Sequence, residues 1–409
     1  MNVQENDVSD KAIFAGVRVI ELAQYVFVPG AGVLLADQGA EVIKIESTGT
    51  GDPYRTLKIG DGREVGTTNL AMEQNNRGKK SIAIDLKSAD GREVFLKLIE
   101  TADVFLTSLR PKALRSLRLD VDDLRARNPK IIYARGNGLG FRGAEADKPG
   151  FDASSFWARG GLSHAFTLPG NAPTPPRPAF GDHSGSMALA FGIAGALFKR
   201  AMTGEGTVVD TSLLSTAVWM LSSDITYNQV PGYTVHSKAV SRFPLMEVYK
   251  TKDERLIQMM LLDPRPHWHS FCALVDLPHL FDDPRFVDNP ARMKNASELS
   301  ALIAEKIGAK DWAEWKPLFD AWDAPWELIR TIDDVCEDPQ VHANEMIFEL
   351  TVGEDKVKVV AGPAGFDGNA APIVRQGSPG MGEHTDSLMT EIGFGADQLA
   401  DFKARKLVQ

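Results

Sequence analysis

Short apolar strands alternate with amphipathic helices over the first half of the chain, and this alternation limits the possible folds more than any other feature. The predicted strands cover residues 16–22, 41–46, 81–86, 104–106, 131–134 and 207–210. The helices predicted between them cover residues 31–38, 89–100 and 121–127. Consecutive parallel strands need a crossover, usually a helix, so this order predicts an α/β fold with a Rossmann-like parallel sheet.

A polar, irregular stretch over residues 225–245 interrupts the alternation and marks a predicted domain boundary. A hairpin is predicted over residues 247–260, and helices are predicted at residues 267–275, 296–307 and 312–322. These elements indicate a small α+β domain over residues 225–325. The large domain is then expected to consist of residues 13–224 and 326–409.

Charge and cysteine content argue against several classes of function. The 409 residues carry a net charge of −10, which argues against a nucleic-acid partner. The two cysteines have no metal-ligand spacing, so we expect no disulfide framework, no bound metal and a cytoplasmic location. No apolar run reaches the about 18 residues of a membrane span, and the polar N-terminus predicts neither a signal peptide nor membrane contact.

Residues 180–186 place one carboxylate, Asp182, between Gly181 and Gly185, just before the apolar run 187–198. That run predicts a buried helix, so Asp182 is expected at or just before a helix N-terminus, where negative charge is favoured. Two interpretations follow, and the local pattern does not separate them. Asp182 is a helix N-cap, or it is a nucleophile toward an acyl group that the glycines admit, with nearby N–H groups holding an oxyanion.

A glycine-rich segment follows the strand at residues 131–134, with glycines at positions 136, 138, 140 and 143. It differs from a dinucleotide-binding loop because no helix opens on it, and charged and proline residues follow instead. We therefore predict no nucleotide redox cofactor. The segment is interpreted as a mobile loop of an active site, with much of its backbone accessible.

Short motifs follow one another along almost the whole chain in an order that is highly specific. They occupy residues 16–22, 39–46, 51–53, 76–86, 102–104, 110–111, 149–152, 181–185, 203–206, 338–341 and 382–385. With these motifs the chain resembles the class III CoA-transferases of the CaiB/BaiF type. That family includes formyl-CoA transferase, carnitine CoA-transferases and, as a side branch, α-methylacyl-CoA racemase.

The resemblance implies that Asp182 is the nucleophile. In the family, this aspartate attacks an acyl-CoA thioester to form a mixed anhydride, CoA then takes the aspartyl group as a thioester, and a second acid reverses the steps. The expected substrates are an acyl-CoA and a carboxylic acid, with coenzyme A as the group transferred. The resemblance also implies a homodimer of interlocked rings, with each site between the large domain of one subunit and the small domain of the other.

The resemblance and the charge pattern together suggest the residues that bind CoA. By resemblance they are Val26, Phe27, Ile84, Lys87, Ser108, Leu109, Arg110, Phe151 and Asp152, to which we add Gly181 beside the nucleophile. Arg77 and Lys80 belong, with Lys79, to a basic cluster suited to phosphate, although a solvated charged face explains the same pattern. Ser47 is a departure from the family, because relatives often carry an arginine there.

Two other functions stay open at this stage. The racemase branch needs a histidine where this chain has Phe151, and phenylalanine cannot accept a proton, which favours a transferase. His183 is a candidate proton carrier, but the sequence shows no partner base, so a structural role is favoured. A catalytically silent CoA-binding protein is the third possibility. The apolar segment at residues 259–265 hints at a medium or branched acyl group.

Overall fold

A parallel sheet forms the centre of the larger of two units in the computed structural model of the chain. The structure describes residues 12–57, 66–236, 243–367, 372 and 375–409. Contacts divide the chain into one unit of Met1–Gln229 and Pro339–Gln409 and a second unit of Val230–Asp338.

The sheet of the larger unit has six parallel strands among the described residues. They are β1 (Arg18–Leu22), β2 (Glu41–Glu46), β3 (Lys80–Ala83), β4 (Val104–Thr107), β5 (Ile132–Asn137) and β6 (Val208–Ser212). Their order across the sheet is β3-β2-β1-β4-β5-β6, which is the order of a Rossmann sheet. The predicted α/β class and Rossmann-like parallel sheet are confirmed.

Helices connect and follow these strands. They are α1 (Phe27–Ala36), α2 (Leu70–Asn76), α3 (Ala89–Glu100), α4 (Pro111–Leu117), α5 (Val121–Arg125), α6 (Leu162–Ala165), α7 (Phe180–Thr203), α8 (Leu213–Met220) and α9 (Ser222–Tyr227). A π-helix, Asp152–Ala158, lies between β5 and α6.

The strands bury side chains on both faces of the sheet. Val19 packs with residues of α1 and α7 on one face, whereas the next residue, Ile20, packs with residues of α3 on the other. Val104 and Phe105 alternate in the same way. All four side chains are fully buried. Because both faces are covered, the strands read as continuous apolar runs, and this made them recognisable in the sequence.

Helix α1 begins at Phe27, four positions before the Ala31 that the sequence predicted. Pro29, which was expected in a loop, is the third residue of the helix. The N–H groups of the first helical turn have no acceptor within the helix, so the missing N–H of proline removes no hydrogen bond there.

Helix α7 also begins before its predicted start, so that Asp182 is its third residue. The N-cap is Ala179, which has a left-handed φ of 57°. The interpretation of Asp182 as an N-cap is therefore wrong. A carboxylate in the first turn still interacts favourably with the helix dipole, which explains why the sequence pattern resembled a cap.

The apolar run within α7 is buried on one side only in the single chain. Leu189 and Ile193 are fully buried against the sheet, whereas Phe191 is 81% exposed and Phe198 is 70% exposed. The predicted buried helix is therefore buried in the single chain only on the side that packs against the sheet.

The smaller unit has an antiparallel sheet with helices packed on it. Its elements are β7 (Val248–Lys250), β8 (Leu256–Met259), α10 (Trp268–Leu274), α11 (Asn289–Lys294), α12 (Ala296–Ile307), α13 (Trp312–Asp320), β9 (Trp326–Leu328) and α14 (Ile332–Cys336). The strand order is β7-β8-β9. Because β9 pairs with β8, the unit extends past the predicted limit at residue 325, and it begins at Val230 where residue 225 was predicted.

The chain then returns to the larger unit. The returning elements are α15 (Pro339–Ala343), β10 (Ile347–Val352), β11 (Asp355–Val360), α16 (Thr385–Glu391) and α17 (Ala396–Ala404). Strands β10 and β11 form an antiparallel hairpin, and the N–H of His384 donates to the carbonyl of Ser81 on β3. Within the described ranges, no helix is both long and apolar enough to cross a bilayer.

Candidate active site

The carboxyl ends of β1 and β4 meet where the direction of the chain across the sheet reverses. From β1 the chain proceeds outward to β2 and β3, and from β4 it proceeds the opposite way to β5 and β6. In open α/β sheets, such a switch point leaves a crevice that binds ligands. Gln24 and Tyr25 follow β1 at this crevice, and residues 108–110 follow β4.

A cavity of about 320 Å³, here called the Asp182 cavity, occupies this crevice. The predicted site residues that line it are Val26, Phe27, Ser108, Leu109, Arg110, Phe151 and Asp182. Gly136 and Gly138 of the glycine-rich segment line it too, as expected of an active-site loop, and the mobility of that loop stays a prediction.

A second cavity of about 510 Å³, here called the Lys87 cavity, adjoins the first. Gln24 and Leu109 line both cavities. The second cavity also includes the predicted site residues Ile84 and Lys87, together with Ser47. The two cavities therefore lie next to each other at the carboxyl edge of the sheet.

The Asp182 carboxylate is partly buried and forms no hydrogen bond with any residue that the structure describes. Burial, with the nearby charge of Asp152, raises the pKa of Asp182 to about 7. A carboxylate that is not engaged by the protein, but lines an open cavity, is available to react with a ligand. The structure therefore keeps the nucleophile interpretation and removes the N-cap interpretation.

Asp152 supports the first turn of α7 from the π-helix. Its Oδ2 atom accepts a hydrogen bond of 3.1 Å from the backbone N–H of Gly181, and the N–H of Asp182 also stabilises the carboxylate. The Oδ1 atom is buried without a hydrogen-bond partner among the described residues. Burial raises the pKa of Asp152.

The two glycines that flank Asp182 allow close packing of protein groups. A Cβ atom on Gly181 would lie 2.5 Å from Oδ1 of Asp152, and a Cβ atom on Gly185 would lie 2.6 Å from the Phe27 ring. The space beside both glycines is thus filled by protein. The expectation that they admit a bulky acyl group was wrong.

The N–H groups beside Asp182 are also engaged by the protein. Gly181 donates to Asp152, and His183 donates to the carbonyl of Ala179 at 2.9 Å. By contrast, the N–H groups of Val26 and Phe27, at the start of α1, have no acceptor among the described residues. These two residues line the Asp182 cavity, so the start of α1 is the better candidate for holding an oxyanion.

A buried ion network holds the loop that borders the cavity, and the sequence analysis missed it. Lys44 pairs with Asp52 at 2.8 Å and with Glu21 at 3.3 Å, and Lys79 pairs with Glu21 at 2.7 Å. Oδ1 of Asp52 accepts a hydrogen bond of 3.2 Å from the N–H of Tyr25, whose φ of 65° is left-handed. The network therefore supports a strained backbone position beside the reacting group.

Four predicted CoA-binding residues are absent from the linings of both cavities: Arg77, Lys80, Asp152 and Gly181. Arg77 is 1% exposed and forms a bidentate pair with Asp37, with Nε to Oδ1 at 2.9 Å and Nη2 to Oδ2 at 2.6 Å. Lys80 pairs with Glu41 on the neighbouring strand. These ion pairs, with that of the buried Lys79, favour a role in the fold, and the phosphate-binding role of the cluster stays a prediction that the contacts do not support.

No cluster of histidine, cysteine or acidic side chains that could hold a metal ion occurs within the described ranges. The charged groups that line the Asp182 cavity are Asp182, Lys148 and Arg110. Lys148 pairs with Glu145, and Arg110 donates to the carbonyl of Asp147.

The sequence is similar to those of known CoA-transferases. Residues 14–385 match the family described as CoA-transferase family III. The chain is 31% identical to the (R)-2-hydroxy-4-methylpentanoate CoA-transferase of Clostridioides difficile, over 97% of this chain and 100% of the relative. It is 33% identical to the cinnamoyl-CoA:phenyllactate CoA-transferase of Clostridium sporogenes, over 96% of this chain and 97% of the relative.

Solved structures show the same fold. The crystal structure of Rv3272 from Mycobacterium tuberculosis superposes with a TM-score of 0.79 and 29% identity, covering 92% of this chain and 99% of that chain. A CaiB/BaiF family protein from Brucella suis superposes with a TM-score of 0.77 and 26% identity, covering 93% of this chain and 99% of that chain.

Proposed function

Because the chain belongs to CoA-transferase family III, and is an enzyme that transfers CoA between an acyl-CoA and a carboxylic acid, we propose that Asp182 carries the transferred groups. The observation that supports this role is the carboxylate of Asp182, which forms no hydrogen bond with any described residue and lines a cavity that adjoins a second, larger one. The neighbouring acid, Asp152, is hydrogen-bonded to the backbone N–H of Gly181.

The reaction begins when an oxygen of the ionised Asp182 attacks the thioester carbonyl carbon. A carbon–oxygen bond forms, the carbon–sulfur bond breaks, and CoA leaves as the thiolate, which gives a mixed anhydride. The thiolate then attacks the Asp182 carbonyl carbon, releasing the first acid and leaving an aspartyl-CoA thioester. A second carboxylate attacks that thioester, and the same two steps in reverse produce the new acyl-CoA and the free Asp182 carboxylate.

The start of α1 stabilises the negative charge that develops in each step. The N–H groups of Val26 and Phe27 face no protein acceptor among the described residues, and the helix dipole adds positive potential at the same place. The N–H groups of Val26 and Phe27 thus take the oxyanion-binding role that the sequence analysis gave to N–H groups near Asp182.

CoA lies along the two adjoining cavities. Its nucleotide end occupies the Lys87 cavity, where the Lys87 ammonium and the hydroxyl groups of Ser47 and Thr50 offer donors to phosphate. The pantetheine arm passes Gln24 and Leu109, which line both cavities, and brings the sulfur atom to Asp182.

Phe151 argues against racemisation as the main activity. Its ring packs edge-on against the ring of Tyr25, with 5.3 Å between the ring centroids. The position that a proton-accepting side chain would need is therefore filled by an aromatic pair. Incubation of an acyl-CoA in deuterium oxide without an acceptor acid tests this point. Retention of hydrogen at the α-carbon is expected, and rapid deuterium incorporation there would favour the racemase.

The assembly that we propose is a homodimer in the cytoplasm, without a nucleic-acid partner. The apolar side chains exposed on α7, Phe191 and Phe198, together with the 76% exposed Trp219 on α8, support an interface. Light scattering after gel filtration is expected to give twice the mass of the chain. The interlocking of the two subunits stays a prediction.

Substitution of Asp182 tests the covalent role. Asp182→Ala and Asp182→Asn are each expected to lower CoA transfer by at least about 10³-fold without loss of the folded state. Hydroxylamine treatment of the wild-type enzyme loaded with acyl-CoA is expected to leave a hydroxamate at position 182, detectable by peptide mass spectrometry. Full activity of either variant would contradict the proposal.

A further inference from the structure

A third cavity, of about 330 Å³ and here called the His183 cavity, borders the first two turns of α7. His183, the residue after Asp182, lines it from α7. The rest of its lining is mostly apolar and includes Val33, Leu34, Met187, Val360, Ala361 and Pro363. Nothing in the transfer mechanism described above uses this space.

The hydrogen bonds around His183 determine which of its nitrogens carries the proton. Nδ2 of Asn75 donates to the carbonyl of Ala71 at 2.9 Å, so Oδ1 of Asn75 faces the imidazole. Nε2 of His183 lies 3.0 Å from that Oδ1 atom. Because an amide oxygen only accepts hydrogen bonds, Nε2 must be the protonated nitrogen.

The other ring nitrogen of His183 is therefore an acceptor. Nδ1 forms no hydrogen bond within the described part of the chain, and the imidazole keeps an exposed edge. Burial of the rest of the ring and the positive charge of Arg77 lower the pKa of His183, which favours the neutral imidazole. A neutral ring with a free lone pair attracts a hydroxyl donor.

The charges around the cavity limit the class of ligand further. Arg77 lines the cavity, but its guanidinium is committed to Asp37, and no other charged side chain is among the lining residues that the structure describes. A second carboxylate on the ligand would thus enter without a counter-charge, which is costly in an apolar space. The cavity suits an uncharged, mainly apolar group.

We propose that the His183 cavity receives the carbon chain of the transferred acid, and that Nδ1 of His183 accepts a hydrogen bond from a hydroxyl group on carbon 2 of that acid. Asp182 lines the Asp182 cavity and His183, the next residue of α7, lines the His183 cavity. In this proposal, an acid whose carboxyl carbon is bonded to Asp182 extends from carbon 2 toward the side chain of His183. The substrate class is therefore a 2-hydroxy monocarboxylic acid with an apolar side chain. This inference rests on the proposed role of Asp182.

A ratio of rates tests the hydroxyl contact. CoA transfer is measured with 2-hydroxy-4-methylpentanoate and with 4-methylpentanoate, and kcat/KM for the first is expected to exceed that for the second by about tenfold, the value of one hydrogen bond. In His183→Gln, the amide nitrogen can keep the bond to Asn75, but no acceptor remains at the Nδ1 position. The ratio is expected to fall to about 1.

His183→Asn is the matched control, because the Asn side chain places an amide oxygen near the Nδ1 position. It is expected to retain most of the preference for the hydroxy acid. An unchanged ratio in His183→Gln, or a wild-type enzyme with no preference, would overturn the hydroxyl contact.

A second substitution tests the apolar space itself. Met187→Trp places a larger side chain in the cavity and is expected to lower the ratio of kcat/KM for 2-hydroxy-4-methylpentanoate to that for lactate by about tenfold or more. An equal effect on both acids would overturn the placement of the carbon chain.

Transfer that depends on Asp182, but not on position 183 or 187, would overturn this inference alone. Transfer that survives Asp182→Ala would overturn the proposed function as well.

Discussion

The carboxylate of Asp152 accepts a hydrogen bond of 3.1 Å from the backbone N–H of Gly181, the residue immediately before Asp182, the proposed nucleophile. This contact ties the π-helix to the first turn of α7 and places two carboxyl groups close together. The like charge of Asp152 adds to burial in raising the pKa of Asp182 to about 7. Asp152 therefore influences both the orientation and the ionisation of the reacting group.

The pH dependence of transfer follows from this pair. Only ionised Asp182 attacks the thioester, so kcat/KM is expected to fall as the pH decreases through about 7. Asp152→Asn removes the neighbouring charge and keeps an acceptor for the Gly181 N–H, so the pKa of Asp182 should decrease. About one-tenth of Asp182 is ionised at pH 6 in the wild type, which limits the gain at that pH to about tenfold.

The measurement is a pH–rate profile of wild type and Asp152→Asn between pH 5 and pH 9. Asp152→Ala is the control, because it removes the charge and the hydrogen bond together and is expected to lower activity at every pH. A profile whose acid limb stays in place in Asp152→Asn would show that Asp152 does not control Asp182.

Close packing between α1 and α7 gives a second prediction. In Gly185→Ala, the added methyl group would lie 2.6 Å from the Phe27 ring and must displace the start of α1 from Asp182. Misplacement of reacting groups on this scale lowers kcat/KM by roughly 10- to 100-fold. Steady-state kinetics with acyl-CoA measure the effect.

Gly195→Ala is the matched control for that experiment, because it makes the same change in the same helix. A Cβ atom at position 195 has no described neighbour within 4 Å. Because Gly195 shares a face of α7 with Phe191 and Phe198, gel filtration first checks that the variant keeps the wild-type assembly, and activity is then expected to remain. The substitution should stabilise the protein by about 0.5–1 kcal/mol through helix propensity. Equal kinetic losses in the two variants would refute the packing argument.

Ser47 provides a prediction about CoA affinity. It lines the Lys87 cavity, and Lys87 is the one cation among the described residues of that lining. Ser47→Arg would add a guanidinium fork there and is expected to lower the KM for acyl-CoA by about 3- to 10-fold, with the gain decreasing at high salt. Ser47→Met adds length without charge and should not reproduce the effect. If the KM for acyl-CoA does not change in Ser47→Arg, the phosphates of CoA do not bind in the Lys87 cavity.

Arg77 is expected to affect stability and not CoA binding. Arg77→Met would leave the buried Asp37 carboxylate without its partner, which costs about 3–5 kcal/mol of unfolding free energy. Arg77→Met combined with Asp37→Leu should recover most of that loss, because neither charge remains. Urea unfolding measures both variants, and calorimetry measures CoA affinity of the folded protein. If Arg77→Met binds CoA more weakly but is as stable as the wild type, Arg77 contacts CoA.

The sequence was sufficient for the features that depend on local pattern. Apolar runs identified the strands because both faces of the sheet are buried. The local pattern around Asp182 allowed a cap or a nucleophile, and only the structure excludes the cap. Ion pairs and hydrogen bonds between residues far apart in the chain could not be predicted from local pattern. Arg77 pairs with Asp37 and Asp152 contacts Gly181 only after folding, so a buried ion pair and a surface charge cluster give the same sequence pattern.

The cavity linings assign different tasks to different parts of the chain. The loops after β1, β2, β3 and β4 supply most of the lining of the Lys87 cavity, whereas residues of α1, α2 and α7, Arg77 and residues 360–363 line the His183 cavity, and no described residue lines both. If these cavities hold the coenzyme and the acid as proposed, substitutions in the second set change which acid is accepted and leave the binding of the coenzyme intact. A lineage built on this scaffold can therefore acquire new acids in small mutational steps, without passing through ancestors that have lost CoA.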